Sequence, residues 1–162
     1  MTSIQAIFIA QDAGLPLVHR SVANIIANQG VEGDRYALSK GAYSQSRPSK
    51  VRDITFIARM GIDRANHLLN LSGHQTFSDV ETRRNIVLKE ITPEELNDLV
   101  GKTFSVGGIE FYGTELCIPC ERPSKLANKK HFFEAFEGNG GIRAGALSSG
   151  ELALHDLLNL PD

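Results

Sequence analysis

Thr103-Phe104-Ser105-Val106-Gly107-Gly108-Ile109-Glu110-Phe111-Tyr112 is the stretch whose reading decides the fold. Two alternating apolar runs flank a Gly-Gly pair, the signature of a two-residue β-hairpin. Directly upstream, Thr92-Pro93-Glu94-Glu95 opens a short helix. Thr92 caps it, Pro93 takes the first helical position and Glu95 completes a capping box. The helix is expected to bury Leu96 and Leu99 and to stop at Gly101. Farther upstream, Ile86-Val87-Leu88 reads as a short buried strand, entered through Thr82-Arg83-Arg84-Asn85. Two adjacent arginines in a strand are expected on opposite faces.

Toward the N-terminus, Asp53 to Arg59 reads as a strand and Ile62 to Leu71 as a helix. That helix places Ile62, Ala65, Leu68 and Leu69 on one face and ends at Gly73. Ile4 to Ala10 reads as a first strand, and Leu17 to Ala27 as a second β-rich run with a helical option at its end. Gly30-Val31-Glu32-Gly33-Asp34-Arg35-Tyr36 follows, with glycines that permit positive φ or close approach to a ligand. Its Asp-Arg pair either binds an anion or pairs internally. Leu38 to Arg52 is polar, rich in serine and poor in apolar surface. It is expected as a long exposed loop, mobile without a ligand, at the rim of a pocket.

Downstream of the hairpin, Leu116-Cys117-Ile118-Pro119-Cys120-Glu121-Arg122-Pro123 holds both cysteines of the chain. It lies between a strand and a run, Pro123 to Phe136, expected as one helix with Leu126, Phe133 and Phe136 in the core. A thiol at such a junction meets the positive end of the helix dipole, which favours the thiolate, and Arg122 and Lys125 add positive charge. Gly138-Asn139-Gly140-Gly141 breaks the helix. Ile142 to Leu147 and Leu152 to Leu154 are then expected as a second hairpin-like pair around Ser149-Gly150. Many short strands with a few short helices indicate a mainly β barrel or sandwich.

The chain has 162 residues, 41% of them hydrophobic, and a formal net charge of −2. This fits one globular domain, 1–162, and argues against a nucleic-acid footprint. No run has the length of a membrane span, and Met1-Thr2-Ser3-Ile4-Gln5 lacks the charged start of a signal peptide. A reducing, cytoplasmic setting is the expectation.

Four readings compete for the cysteines. A zinc half-site needs two further ligands, and the five histidines have no matching spacing. A thioredoxin-like pair belongs beside a βαβ unit. Two buried cysteines acting as small hydrophobes suit Cys117 better than Cys120. The fourth reading makes Cys120 a single working thiolate supported by Cys117. Arg83, Arg84 and Asn85 are either a solvated strand edge or an anion-recognition set, since arginine offers a planar fork to phosphate or carboxylate. Arg35 and Arg143 admit the same two readings, and Arg143 sits among glycines that suggest close backbone approach.

Taken in order, Gly30 to Tyr36, Arg83-Arg84-Asn85-Ile86-Val87, Cys117-Ile118-Pro119-Cys120 and Gly140-Gly141-Ile142-Arg143-Ala144 resemble the MOSC domain family. That module forms the C-terminus of molybdenum cofactor sulfurases and also occurs as stand-alone bacterial proteins. The resemblance runs from about Ile4 to Asp156. It implies a MOSC-like β-barrel with a few short helices, and Cys120 as molybdenum ligand or sulfur carrier. It also implies Arg83 and Asn85 as contacts to the cofactor's pterin and phosphate, with Arg35 and Arg143 lining the same anion pocket. The chain has no pyridoxal-phosphate-dependent domain, so it is not expected to abstract sulfur from cysteine itself. The leading expectation is a molybdenum cofactor-binding or sulfur-carrier protein, whether or not part of a molybdenum-dependent reductase. A cysteine desulfurase or an electron-donor protein would be its partner. The alternative is a non-enzymatic persulfide-delivery or interaction module without bound cofactor. Oligomeric state is left open.

Overall fold

Buried side chains follow a two-residue period, and this builds the main sheet. On β5 (Ile54–Ala58), Ile54, Phe56 and Ala58 join one core and Ile57 a second core on the other face. β6 (Ile86–Lys89) repeats this with Ile86 and Leu88 against Val87. β1 (Ser3–Ile9) sends Ile4 and Ile7 inward and Ala6 and Phe8 outward, an odd spacing absorbed by a shift of register between Ile4 and Ala6. The computed structural model describes residues 1–160; Pro161 and Asp162, the end of the expected domain, lie outside the described residues.

The remaining strands of this sheet are β2 (Val18–Arg20), β7 (Thr103–Val106), β8 (Ile109–Leu116), β9 (Ile142–Ala146) and β11 (Leu158–Asn159). Their order is β11-β7-β8-β9-β5-β6-β1-β2. The sheet curls into a half-barrel, so the chain entering β11 reaches back to β1. The Ile4 amide donates to Asp156 O at 2.9 Å, the His155 amide to Ile4 O at 2.9 Å and the Leu158 amide to Thr2 O at 3.0 Å. A second sheet, β10-β3-β4, comprises β10 (Gly150–Ala153), β3 (Val22–Ile26) and β4 (Gly30–Val31). Phe56 lies edge-on to Phe104 and Phe111 in the inner core.

The mainly β, barrel-like expectation holds, as does the hairpin. Gly107 and Gly108 have φ of +57° and +79°, which a two-residue turn of this twist requires. α2 (Pro93–Asn97) carries the full capping box between Thr92 and Glu95. β5 and β6 pair in parallel, and α1 (Arg59–Leu71) makes the crossover on the outer face. It buries Ile62, Ala65 and Leu69, but Leu68 is exposed.

Four local expectations change. Leu17 to Ala27 divides at Ser21 into β2 and β3, which belong to different sheets, and nothing there is helical. The expected helix from Pro123 to Phe136 is two, α3 (Arg122–Ala127) and α4 (Phe132–Ala135). Asn128 and His131 both adopt left-handed backbone between them, at φ +53° and +73°. The break turns Phe132 and Phe136 onto Phe77 and leaves Leu126 and Phe133 exposed. The expected hairpin around Ser149-Gly150 does not form, because both edges of β9 are already taken by β8 and β5. β10 pairs with β3 instead, while Ser148 Oγ and Ser149 Oγ accept from the Glu110 and Ala27 amides. Finally, Arg83 and Arg84 precede β6 and lie outside any strand.

Candidate functional site

The site lies at the end of the half-barrel where the chain leaves β1 and enters β5 and β6. Arg83 follows a 3-10 turn at Val80–Thr82 and has φ +63°, a left-handed conformation that a side chain as long as arginine adopts only under constraint. The constraint comes from two directions. Arg35 Nη2 donates to the Arg83 carbonyl at 3.3 Å, and Arg35 Nη1 pairs with buried Asp34 at 3.0 Å. Asp34 is fixed in turn by the Ala10 amide at 3.0 Å. On the other side Asn85 is spent on the scaffold. Its Oδ1 accepts from Thr55 N and Oγ1 at 3.1 and 3.2 Å, and its Nδ2 donates to Phe8 O at 3.1 Å. Arg84 Nε donates to Gly140 O at 2.8 Å. The triplet is therefore clamped residue by residue. Both arginines line one cleft, in place of the two faces a strand would give them.

The cysteine corner is held by glycines. The Cys117 amide donates to Gly141 O at 2.8 Å. A Cβ on Gly140 would lie 2.4 Å from Cys117 O, and one on Gly141, at φ +85°, would lie 2.0 Å from Phe56 O. The close approach that these glycines suggested is thus to the chain's own backbone. Cys117 is buried and Cys120 half-buried on the cleft, its Sγ 4.0 Å from the Tyr43 hydroxyl. α3 has only six residues and starts after Cys120, so the positive surroundings of this thiol come chiefly from arginine side chains, not from a long helix.

Five arginines (Arg35, Arg83, Arg84, Arg122 and Arg143) line the cleft with Cys120, around a cavity of about 70 Å³. Asp34 neutralises Arg35, and Glu115 neutralises Arg143 at 2.6 Å. Among the described residues no carboxylate pairs with Arg83, Arg84 or Arg122. Arg83 Nη1 donates to Leu15 O at 2.8 Å, but its Nη2 is buried with no partner among the described residues. Burial, then Arg35 and Arg122, push the Arg83 guanidinium down to about 10, so it remains charged at neutral pH. A chain with net charge −2 has collected in one small cleft three cations without a directly paired carboxylate among the described residues, and the Asp34 carboxylate offsets only part of the charge at Arg83.

The loop 38–52 forms the rim, as its position in the chain suggested. Burial and the neighbouring Cys120 thiol raise the Tyr43 phenol above its ordinary value. The Arg52 guanidinium stacks on the Tyr43 ring at 5.0 Å and the Arg35 guanidinium on Tyr36 at 5.2 Å. Both tyrosines also line a neighbouring groove of about 400 Å³ on the loop side.

Of the sequence-derived site residues, Cys120, Arg35, Arg83 and Arg143 line this cleft, while Asn85 lies beneath it. Arg84, Arg122, Tyr36 and Tyr43 belong to the lining as well. Arg84 and Arg122 were legible as neighbours of Arg83 and Cys120. Tyr43 lies in a polar loop with no periodicity to mark it. No group of three or more His, Cys, Asp or Glu side chains suited to a metal ion occurs among the described residues. No helix there is long and apolar enough to cross a membrane.

No family model matches the chain, and no curated protein matches it by sequence. Solved structures do match in shape. The YuaD protein of Bacillus subtilis is 16% identical, with a TM-score of 0.74 over 98% of this chain and 94% of that one. YiiM from Geobacillus stearothermophilus is 13% identical, with a TM-score of 0.71 over 100% and 76%. YiiM from Escherichia coli is 12% identical, with a TM-score of 0.63 over 99% and 72%. At such identities the likeness is one of fold.

Proposed function

We propose that the arginine cleft binds an anionic ligand of the molybdenum cofactor class and presents Cys120 to it as a thiolate ligand. The observation that carries this reading is the buried, unpartnered Nη2 of Arg83, in a cleft where Arg84 and Arg122 also lack a carboxylate. A phosphate or an oxyanionic metal centre supplies the acceptors these donors want. The four motifs behind the MOSC resemblance converge on this end of the fold, which supports the same reading.

The residues fit such a group in chemical kind. Cys120 would hold such a group through its thiolate, a soft ligand, and would do so as a single protein ligand, since no cluster of three or more His, Cys, Asp or Glu side chains occurs among the described residues. When bound, the cofactor supplies two-electron redox chemistry at the metal. The chain's residues do the rest. Arg83, Arg84 and Arg122 neutralise and orient the anion, Arg143 is steered by Glu115, and Asn85 and Arg35 hold the triplet in place. The cavity of about 70 Å³ suits the charged end of a ligand, and the groove of about 400 Å³ beyond Tyr36 and Tyr43 offers room for a larger body.

The small cavity and one partly exposed thiol also favour a second reading, in which Cys120 carries sulfur as a persulfide delivered by a partner such as a cysteine desulfurase. Expression in a host that makes molybdenum cofactor, followed by metal analysis and pterin fluorescence, tests the first. Wild type should retain pterin and metal, Cys120→Ser should lose metal preferentially, and Arg83→Gln should lose both. Wild type free of pterin and metal would overturn it and leave the carrier reading.

A further inference from the structure

Two features of the Cys120 cleft bear on what the thiol reacts with: its size and its charge. The cavity beside Cys120, about 70 Å³, is far below the roughly 300–1,000 Å³ of pockets that enclose a whole organic ligand, so next to the thiol itself there is room only for a small group. It admits a small ion. Arg83, Arg84 and Arg122 bring three positive charges without carboxylate partners among the described residues, and the buried Arg83 Nη2 has an unfilled bond. A persulfide on a partner protein, the donor named in the carrier reading, brings a single negative charge and leaves two of these guanidinium groups unmatched. A compact dianion bearing several acceptor oxygens has.

We propose that the cleft binds a sulfur-bearing tetrahedral oxyanion of the thiosulfate class, and that the Cys120 thiolate takes its outer sulfur. The proposal rests on the reading of Cys120 as a sulfur-carrying thiol and names its donor. In the step, the Cys120 sulfur attacks the terminal sulfur of the donor. A cysteine–sulfur bond forms, the donor's own sulfur–sulfur bond breaks, and its electron pair departs with sulfite. Thiolate and thiosulfate together carry three negative charges, and so do the cysteine persulfide and sulfite that replace them. No external oxidant, reductant or proton is needed. Cys120 is the catalytic residue. The three arginines bind the donor's oxygens and stabilise the charge that gathers on the departing sulfite, the role of fixed donors at a developing anion. The Tyr43 hydroxyl, 4.0 Å from Sγ, stands ready to donate to the terminal persulfide sulfur.

The test uses reduced full-length protein under anaerobic conditions with thiosulfate as the probe. The expected result is stoichiometric sulfite release and a mass gain of one sulfur atom on the Cys120 peptide, absent from the Cys117 peptide and from Cys120→Ser. Loading should saturate with thiosulfate and be competed by sulfate. Losing one charge-assisted contact should raise the half-saturating thiosulfate concentration about tenfold or more in Arg83→Gln. Arg122→Gln, at the start of α3 and away from the clamped triplet, should do the same if Arg83→Gln fails to fold. Cysteine persulfide serves as a control donor that lacks the oxyanion. If it loads Cys120 and thiosulfate does not, the donor class is wrong and the carrier reading stands. If neither loads a thiol that still alkylates with iodoacetamide, both fall. Thiosulfate loading unchanged by either arginine variant would also overturn the proposal.

Discussion

Asn85 shows how a residue can matter to a site without lining it. Its side chain uses both ends, accepting from Thr55 and donating to Phe8, and so ties the entry of β6 to β5 and β1 directly below two arginines. Arg35 does a similar job from the other side, holding the Arg83 carbonyl while its charge is absorbed by Asp34. Both spend their polar groups on the scaffold, which leaves Arg83, Arg84 and Arg122 as the cleft arginines without a paired carboxylate among the described residues. Replacing Asn85 with Ala orphans the buried Phe8 carbonyl and the part-buried Thr55 amide. Each such loss costs about 1–3 kcal/mol. Asn85→Ala should therefore lose about 2–6 kcal/mol, read as a lower urea midpoint at unchanged slope. It should also bind oxyanions more weakly. A variant with wild-type midpoint would show that the clamp contributes nothing.

At the scale of elements, the rim loop is the part most open to control. It lacks regular structure from Leu38 to Lys50 except for turns, yet two side-chain contacts tie it to the body of the fold and a third braces it internally. Tyr43 reaches Cys120, Arg52 stacks on Tyr43, and Lys50 Nζ bonds Glu115 at 3.3 Å. Burial pushes the Glu115 carboxyl up, but the bonds from Arg143 and Lys50 outweigh it and hold it below the ordinary value. A carboxyl depressed in the folded state contributes stability above its unfolded pKa, about 4.3, and loses it as pH falls through the lower folded value. Hydrogen exchange in the loop, corrected for intrinsic rate, should therefore stay level between about pH 5 and 8 and accelerate below about pH 4. Lys50→Ala should show faster exchange throughout. An acid acceleration of the same size in the core as in the loop would assign the effect to global unfolding, and none in the loop would overturn the prediction.

The whole molecule depends on the lacing between its two ends. β11 pairs with β7 at one edge of the sheet, and the chain leading into it also bonds to Thr2 and Ile4 at the start of β1. This brings β1 round to the hairpin strands and closes the core around Phe56, Phe104 and Phe111. Proline cannot donate to a ladder. Leu158→Pro removes the amide that reaches Thr2 O at 3.0 Å and the packing of a residue only 7% exposed. It should lower the melting temperature sharply, by about 8 °C or more for a loss of a few kcal/mol in a domain of this size. The reversal Leu158→Val, which keeps the amide, should cost far less. Equal losses in the two variants would show that side-chain packing, not the laced backbone, closes the sheet.

The same division runs through what was legible in the residues. Local chemistry alone determined the Gly107-Gly108 hairpin, the Thr92–Glu95 capping box and the strands around Phe56 and Val87, because turn geometry, capping and two-residue periodicity are encoded within a few positions. It also marked Cys120, Arg35, Arg83 and Arg143, whose chemistry is visible wherever they stand. Partnership was not visible. Whether β10 paired with β9 depended on strands β5 and β8, far away in the chain, having already taken both edges of β9. That Asn85 faces scaffold, that Arg84 turns into the cleft and that Tyr43 meets Cys120 across the loop were likewise decided by tertiary packing. A side chain's type is fixed by the sequence, but which of its hydrogen bonds remain free for a ligand is fixed only when the rest of the chain has closed around it.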